Sequence, residues 1–233
     1  KGTLTLPDNC DRKTPVLIMV TGSGLQNRDE EFSGHKPFAV IADAFARAGI
    51  ATLRYDDRGF GESTGDVVLC TTEDLKNDAL AGVKLLRDRF ERVGVIGHSE
   101  GGTIALMLAS ERQVDFAVSM AGMIVSGAET LLAQNRRAFE SAGLPESEVE
   151  AFARLLSDTF TAIRTRAPLP SADNYDITDA LRKNYAAALP SFRTPYMEFF
   201  LGLDLSASLS GITCPVMALN GTKDTQVQCD RNI

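Results

Sequence analysis

The segment Gly97-His98-Ser99-Glu100-Gly101 constrains this chain more than any other. It lies between the apolar run Val93–Ile96, which reads as a buried strand, and the small-residue stretch Gly101–Ser110, which reads as a helix. A strand that turns directly into a helix brings the two backbones close together. The glycines of this G-x-S-x-G pattern suit that crossing, because a β-carbon there meets the neighbouring strand or helix. Ser99 then stands at the tip of a tight turn, with a helix N-terminus behind it. The unpaired N–H groups at that end carry partial positive charge and favour an anion beside the serine hydroxyl. Taken alone, the pattern also fits an ordinary strand-to-helix turn with an unreactive serine. The rest of the chain has to decide.

Before and after this turn, strands and helices alternate. Gly2–Leu6 alternates threonine and leucine and predicts a strand. Val16–Val20 is a near-continuous apolar run, as expected of a strand buried on both faces of a parallel sheet. It empties into a polar glycine loop, Thr21–Asp29. Phe38, Ile41, Ala42 and Phe45 fall at helical spacing, and Gly49 ends that helix. Ile50–Tyr55 predicts the next strand and Asp56–Ser63 a tight turn. Thr71 and Asp74 form a capping box for a helix with Leu75, Ala79, Val83 and Leu86 on one face. Phe116–Met120 predicts another strand. This order implies right-handed crossovers and an α/β fold with a doubly wound, mostly parallel sheet. From Met123 to Ser210 there is helical periodicity without a strand, in segments near Ala128–Ala142, Pro145–Arg166, Ile177–Leu189 and Pro195–Leu201. Pro215–Leu219 restores the sheet. The expected division is a core of 1–122 and 211–233 and an inserted helical cap of 123–210.

Composition narrows the partners. A net charge of −7 argues against nucleic acid or an anionic membrane surface. No run is long and apolar enough for a membrane-spanning helix. The four cysteines (Cys10, Cys70, Cys214, Cys229) lack metal-ligand spacing and the chain has two histidines, so no metal site is expected. Gly22-x-Gly24 does not complete a dinucleotide fingerprint, because Asn27 occupies the third glycine's place. No cofactor is expected. The chain opens at Lys1 without a signal-like segment and reads as trimmed or processed, so its compartment stays open.

The ordered motifs resemble the α/β-hydrolase superfamily over essentially the whole chain. They are the glycine loop after Val16–Val20, the Asp56-Asp57-Arg58-Gly59 turn, the elbow at Ser99, the helical insertion, and Cys214-Pro215 through Asp224. Gly22-Ser23-Gly24-Leu25-Gln26-Asn27-Arg28-Asp29 and the opening Lys1–Pro7 resemble bacterial serine carboxylesterases with a helical lid. The resemblance implies a serine hydrolase that cleaves small or medium acyl esters through an acyl-enzyme on Ser99. Asp224 falls where the superfamily places the triad acid, although an Asp after Asn220-Gly221 also suits a plain turn. The implied oxyanion hole uses the N–H groups of Glu100 and Ser23, with Gly24 and Leu25 as neighbours of the pocket. Phe199 and Phe200 are candidate pocket walls. Arg28, Asp29, Asp56, Asp57 and Arg58 read mainly as structure.

The histidine is the gap in this pattern. The superfamily order is Ser, acid, His, and no histidine follows Asp224. His98 is fixed inside the elbow and His35 lies before the first helix. Both read as structural, and the catalytic histidine is expected after Ile233, with a further strand and helix. Three readings compete with the esterase. One is an aminopeptidase, thioesterase or amidase on the same machinery. A second is a binding protein that keeps the fold without the chemistry. A third, dinucleotide binding, fails at Asn27. Oligomeric state is open.

Overall fold

The computed structural model describes residues 1–232. Its centre is a sheet of six strands: β1 (Gly2–Thr5), β2 (Val16–Val20), β3 (Ala51–Tyr55), β4 (Val93–His98), β5 (Phe116–Met120) and β6 (Val216–Leu219). Their order across the sheet is β1-β3-β2-β4-β5-β6. β1 runs antiparallel to β3, and the other pairs are parallel. Three helices cover this sheet: α1 (Pro37–Arg47), α2 (Thr72–Arg87) and α3 (Glu100–Ser110).

β2 shows why the strands were readable as apolar runs. Val16, Ile18 and Val20 face α2 and α3, and pack with Ala79, Val83, Leu86, Ile104 and Leu108. Leu17 and Met19 face the opposite side and pack with Phe38 and Ala42 of α1. Both faces are buried, so neither can be polar. α3 is buried from Glu100 to Ala109. Each large side chain there contributes roughly 1.5–3 kcal/mol relative to exposure. The sheet is less covered toward β6, whose four residues are all exposed.

The topology also sets the site. The chain leaves β2 to form β3 on one side, then returns to form β4 on the other. β2 and β4 are therefore neighbours whose outgoing loops diverge, with Val20 opposite Gly97. Ligand crevices of open α/β sheets form at such switch points, beyond the carboxyl ends of the strands. Here the glycine loop and Ser99 leave the sheet side by side.

Between β5 and β6 come four helices: α4 (Gly127–Ser141), α5 (Glu146–Thr165), α6 (Asp179–Phe192) and α7 (Pro195–Gly202). They share an apolar core of Phe152, Leu155, Leu156, Phe160, Leu181, Tyr185 and Leu201. Phe139 meets Phe152 edge-on at 5.0 Å, and Phe160 meets Phe192 at 5.6 Å. α6 begins two residues later than the apolar spacing from Ile177 suggests, since Thr178 is its N-cap, and it continues past Pro190 into its last turn. Phe200 of α7 packs in a small apolar cluster with Met123 and Val227, from the segments that follow β5 and β6. A short α8 (Cys229–Asn232) follows, where the Asn232 side chain accepts the Ile124 N–H at 2.9 Å. No helix among the described residues is long and apolar enough to cross a membrane.

Candidate active site

Ser99 has φ +53° and ψ −118°, a conformation that costs a non-glycine residue on the order of 1–3 kcal/mol. Close approach on both sides enforces it. A β-carbon on Gly97 would sit 1.9 Å from the Gly101 carbonyl oxygen, and one on Gly101 would sit 2.1 Å from that of Val20. The Ser99 N–H donates to the Met120 carbonyl at 2.8 Å, so β5 also holds the turn. α3 begins at the next residue.

The glycine loop lies against this elbow. A β-carbon on Gly22 would approach Ser99 Cβ to 3.3 Å. Glu30, buried at φ +51°, ties the two together. Its Oε1 accepts the Gly22 N–H at 2.8 Å and meets His98 Nδ1 at 2.9 Å. Ser23, Gly24 and Leu25 form the exposed crest of the loop. Beneath the crest, Asp57 accepts the Gln26 N–H at 2.8 Å and the Thr21 hydroxyl at 2.9 Å. Asp56 accepts the Arg28 N–H at 2.9 Å and two guanidinium bonds at 2.9 and 2.6 Å. Asp29 pairs with Arg54. These contacts hold the loop and turn together, but Asp56, Asp57 and Arg58 do not pair among themselves. Asp56 takes Arg28, and Arg58 takes Asp78 of α2 at 2.7 Å. The two adjacent aspartates diverge accordingly. The Arg28 guanidinium holds the Asp56 carboxyl down at about 2. Burial pushes Asp57 up to about 6, against the pull of its Gln26 and Thr21 bonds.

Glu100 is 1% exposed. Thr72 of α2 donates to Oε1 at 2.6 Å and Tyr196 of α7 donates to Oε2 at 2.7 Å. The Tyr196 hydroxyl also lies 3.4 Å from Ser23 Oγ. Burial, reinforced by the Glu100 charge, raises the Tyr196 hydroxyl well above the usual phenol range.

Asp224 follows β6, whose Leu219 is level with Met120 of β5, which in turn is level with His98 of β4. Its Oδ1 accepts the N–H groups of Gln226 and Val227 at 2.8 and 3.0 Å, which shapes the turn. Its Oδ2 takes no hydrogen bond among the described residues. The carboxylate lies near enough to the elbow to help raise the pKa of His98, after the larger effect of the Glu30 hydrogen bond. Gln134 and Arg137 of α4 donate to the carbonyls of Gln226 and Asp224, at 2.8 and 3.4 Å.

The remaining candidates are scattered. His35 is exposed and forms a small backbone bridge with Phe32. No hydrogen bond joins either histidine to Ser99 among the described residues. Phe200 is buried against Met123 and Val227, and stacks on Tyr196 with centroids 5.7 Å apart. Phe199 lines an open groove with Thr71, Arg166, Glu198 and Leu203. Among the described residues no histidine, cysteine, aspartate or glutamate cluster could hold a metal ion.

Sequence reasoning missed Glu30, Tyr196 and the Glu100 side chain. Glu100 left one clue: an acid inside an otherwise small and apolar helix must find donors when buried. Glu30 and Tyr196 gave none, because their contacts with His98 and Glu100 span 68 and 96 residues.

Residues 35–231 match the family described as serine aminopeptidase, S33. Esterase EstD of Thermotoga maritima is 34% identical over 122 residues, 52% of this chain. The chain spans 29% of that relative's length. An esterase of Pyrococcus furiosus superposes with a TM-score of 0.59 at 20% identity, covering 99% of this chain and 73% of that one. Proline iminopeptidase of Mycobacterium smegmatis gives 0.57 at 18% identity, covering 96% and 78%. The family match spans the elbow, the helices after β5 and β6 together. The chain belongs to the serine aminopeptidase S33 family and has the α/β-hydrolase fold.

Proposed function

We propose that the protein is a carboxylic ester hydrolase that works through an acyl-enzyme on Ser99. The observation that carries this reading is the Ser99 backbone. It is held at φ +53° at the start of α3, with Gly22 of the glycine loop against its β-carbon. A strained serine between a helix N-terminus and a glycine loop suits attack on a carbonyl. Ser99 Oγ attacks the acyl carbon while a histidine takes its proton. The N–H groups of Glu100 and Ser23 hold the resulting oxyanion. The histidine returns the proton to the departing alcohol, and water then releases the acid from Ser99. Asp224 orients the histidine through its open carboxylate oxygen. Neither His35 nor His98 is hydrogen-bonded to Ser99 among the described residues, and His98 Nδ1 is engaged by Glu30. The helical insertion serves as the cap, and Gly24 and Leu25 of the exposed loop crest border the acyl and alcohol pocket.

The family description and the iminopeptidase likeness support a second reading, cleavage of aminoacyl bonds. That reaction needs a carboxylate to hold a free ammonium. Glu30 and Glu100 are buried beside Ser99, and both are bound by internal donors. This favours esters. A fluorophosphonate probe is expected to label Ser99 in the intact protein, and Ser99→Ala to abolish labelling and lower kcat by roughly 10⁴-fold or more. p-Nitrophenyl acetate and butyrate are the expected substrates. Cleavage of aminoacyl anilides with both esters untouched overturns the esterase reading.

A further inference from the structure

The reading above assigns the oxyanion to the backbone N–H groups of Ser23 and Glu100, and the present inference rests on it. Ser23 lies in the loop after β2, and Glu100 is the first residue of α3. Tyr196 reaches both from α7, 173 residues from Ser23 and 96 from Glu100. Its hydroxyl is 2.7 Å from Glu100 Oε2 and 3.4 Å from Ser23 Oγ. Its ring stacks on Phe200, which packs with Met123 and Val227 from the segments that follow β5 and β6. The Glu100 carboxylate is almost fully buried, and among the described residues its side-chain partners are two hydroxyls, from Thr72 and Tyr196, rather than a cation.

We propose that Tyr196 is a positioning residue that locks α7 onto the oxyanion side of the site, so that the Ser23 and Glu100 N–H groups converge when the insertion is seated. The reason is the carboxylate. If α7 lifts, Glu100 Oε2 loses its donor in a place shielded from water, and an unsatisfied buried charge must move or be rehydrated. The side chain and N–H of Glu100 share one Cα, so relaxation of the carboxylate reorients the amide beside Ser99. The same hydroxyl borders Ser23, so one contact restrains both donors.

Tyr196→Phe keeps the ring and its stack on Phe200 and removes the hydroxyl. In the intact protein, kcat for p-nitrophenyl butyrate is expected to fall about 10- to 100-fold, less than for outright loss of an oxyanion donor. KM is expected to change less than about twofold, the pattern of an interaction used in the transition state. Phosphonylation of Ser99 slows in parallel, because it too builds charge in the hole. Amide hydrogen exchange rises at 23–26 and 100–102, while the melting temperature and exchange elsewhere hold. Tyr196→Phe and Glu100→Ala each remove the Tyr196–Glu100 bond, so the loss in the double variant is expected to fall clearly short of the sum of the two single losses. An unchanged kcat, a rise in KM alone, additive losses, or exchange spread over the whole chain each overturn the proposal. A wild-type protein that neither cleaves esters nor takes the phosphonate overturns the esterase reading instead. The exchange experiment then still decides the role of Tyr196.

Discussion

Glu30 joins parts of the site that no local pattern connects. One carboxylate oxygen meets both the Gly22 N–H and His98 Nδ1, so the glycine loop and the elbow share a reference point. It takes this position in a left-handed backbone conformation that glutamate rarely adopts. The bond to Glu30 keeps the His98 imidazole protonated above its ordinary range. Glu30→Gln removes the charge while keeping an oxygen at the same reach. The His98 pKa, followed by NMR titration, is expected to fall toward the ordinary histidine value. An unmoved titration shows that the pairing does not hold in solution. At this scale the sequence was legible where chemistry forces the residue type, as at Gly97, Ser99 and Gly101. It was silent where a common residue acquires its role from a distant partner. A glutamate ending a polar loop looks like any solvated acid, and a tyrosine among Phe199, Phe200 and Met197 looks like cap core.

The elements were legible because each carries a physical signature in its own residues. β2 and β4 are buried on both faces and read as apolar runs. α2 announces its start by the Thr71–Asp74 capping box, which forms as expected. α6 was harder, since its last turn includes Pro190. What no element reveals by itself is its neighbour, and the contact of α3 with β2 is such a case. Gly101 brings the first turn of α3 onto the Val20 carbonyl, a rigid backbone contact. Gly82 of α2 is also crowded, but by the flexible end of the Ile18 side chain. Gly101→Ala is therefore expected to destabilise by about 3 kcal/mol, and Gly82→Ala by about 1 kcal/mol or less, given its gain in helix propensity. Urea unfolding of both variants checks the ranking. Equal losses imply that the α3 crossing can relax.

Across the whole molecule, stability reflects the two neighbouring aspartates with opposite signs. Asp56, held near 2, stabilises the fold above the usual aspartate range and loses that contribution as pH falls toward 2. Asp57, raised to about 6, does the reverse. Its neutral form suits the fold, so its contribution is full below about 4 and is lost as pH rises through 6. Asp57→Asn keeps the acceptor for Gln26 and Thr21 without the charge. Relative to wild type, this variant is expected to gain about 2 kcal/mol of unfolding free energy between pH 4 and pH 8. A difference that stays constant with pH removes Asp57 from this role. The six strands and the helices between β5 and β6 were readable at this scale. The seating of the insertion was not, because it depends on single contacts such as Tyr196 on Glu100 and Gln134 on the Gln226 carbonyl. The insertion also keeps an apolar core that shares no buried residue with either core of the sheet. Two separate cores make two separate ledgers for mutation. Side chains between β5 and β6 can change without loosening the strands that hold Ser99, and the sheet can be stabilised without repacking those helices.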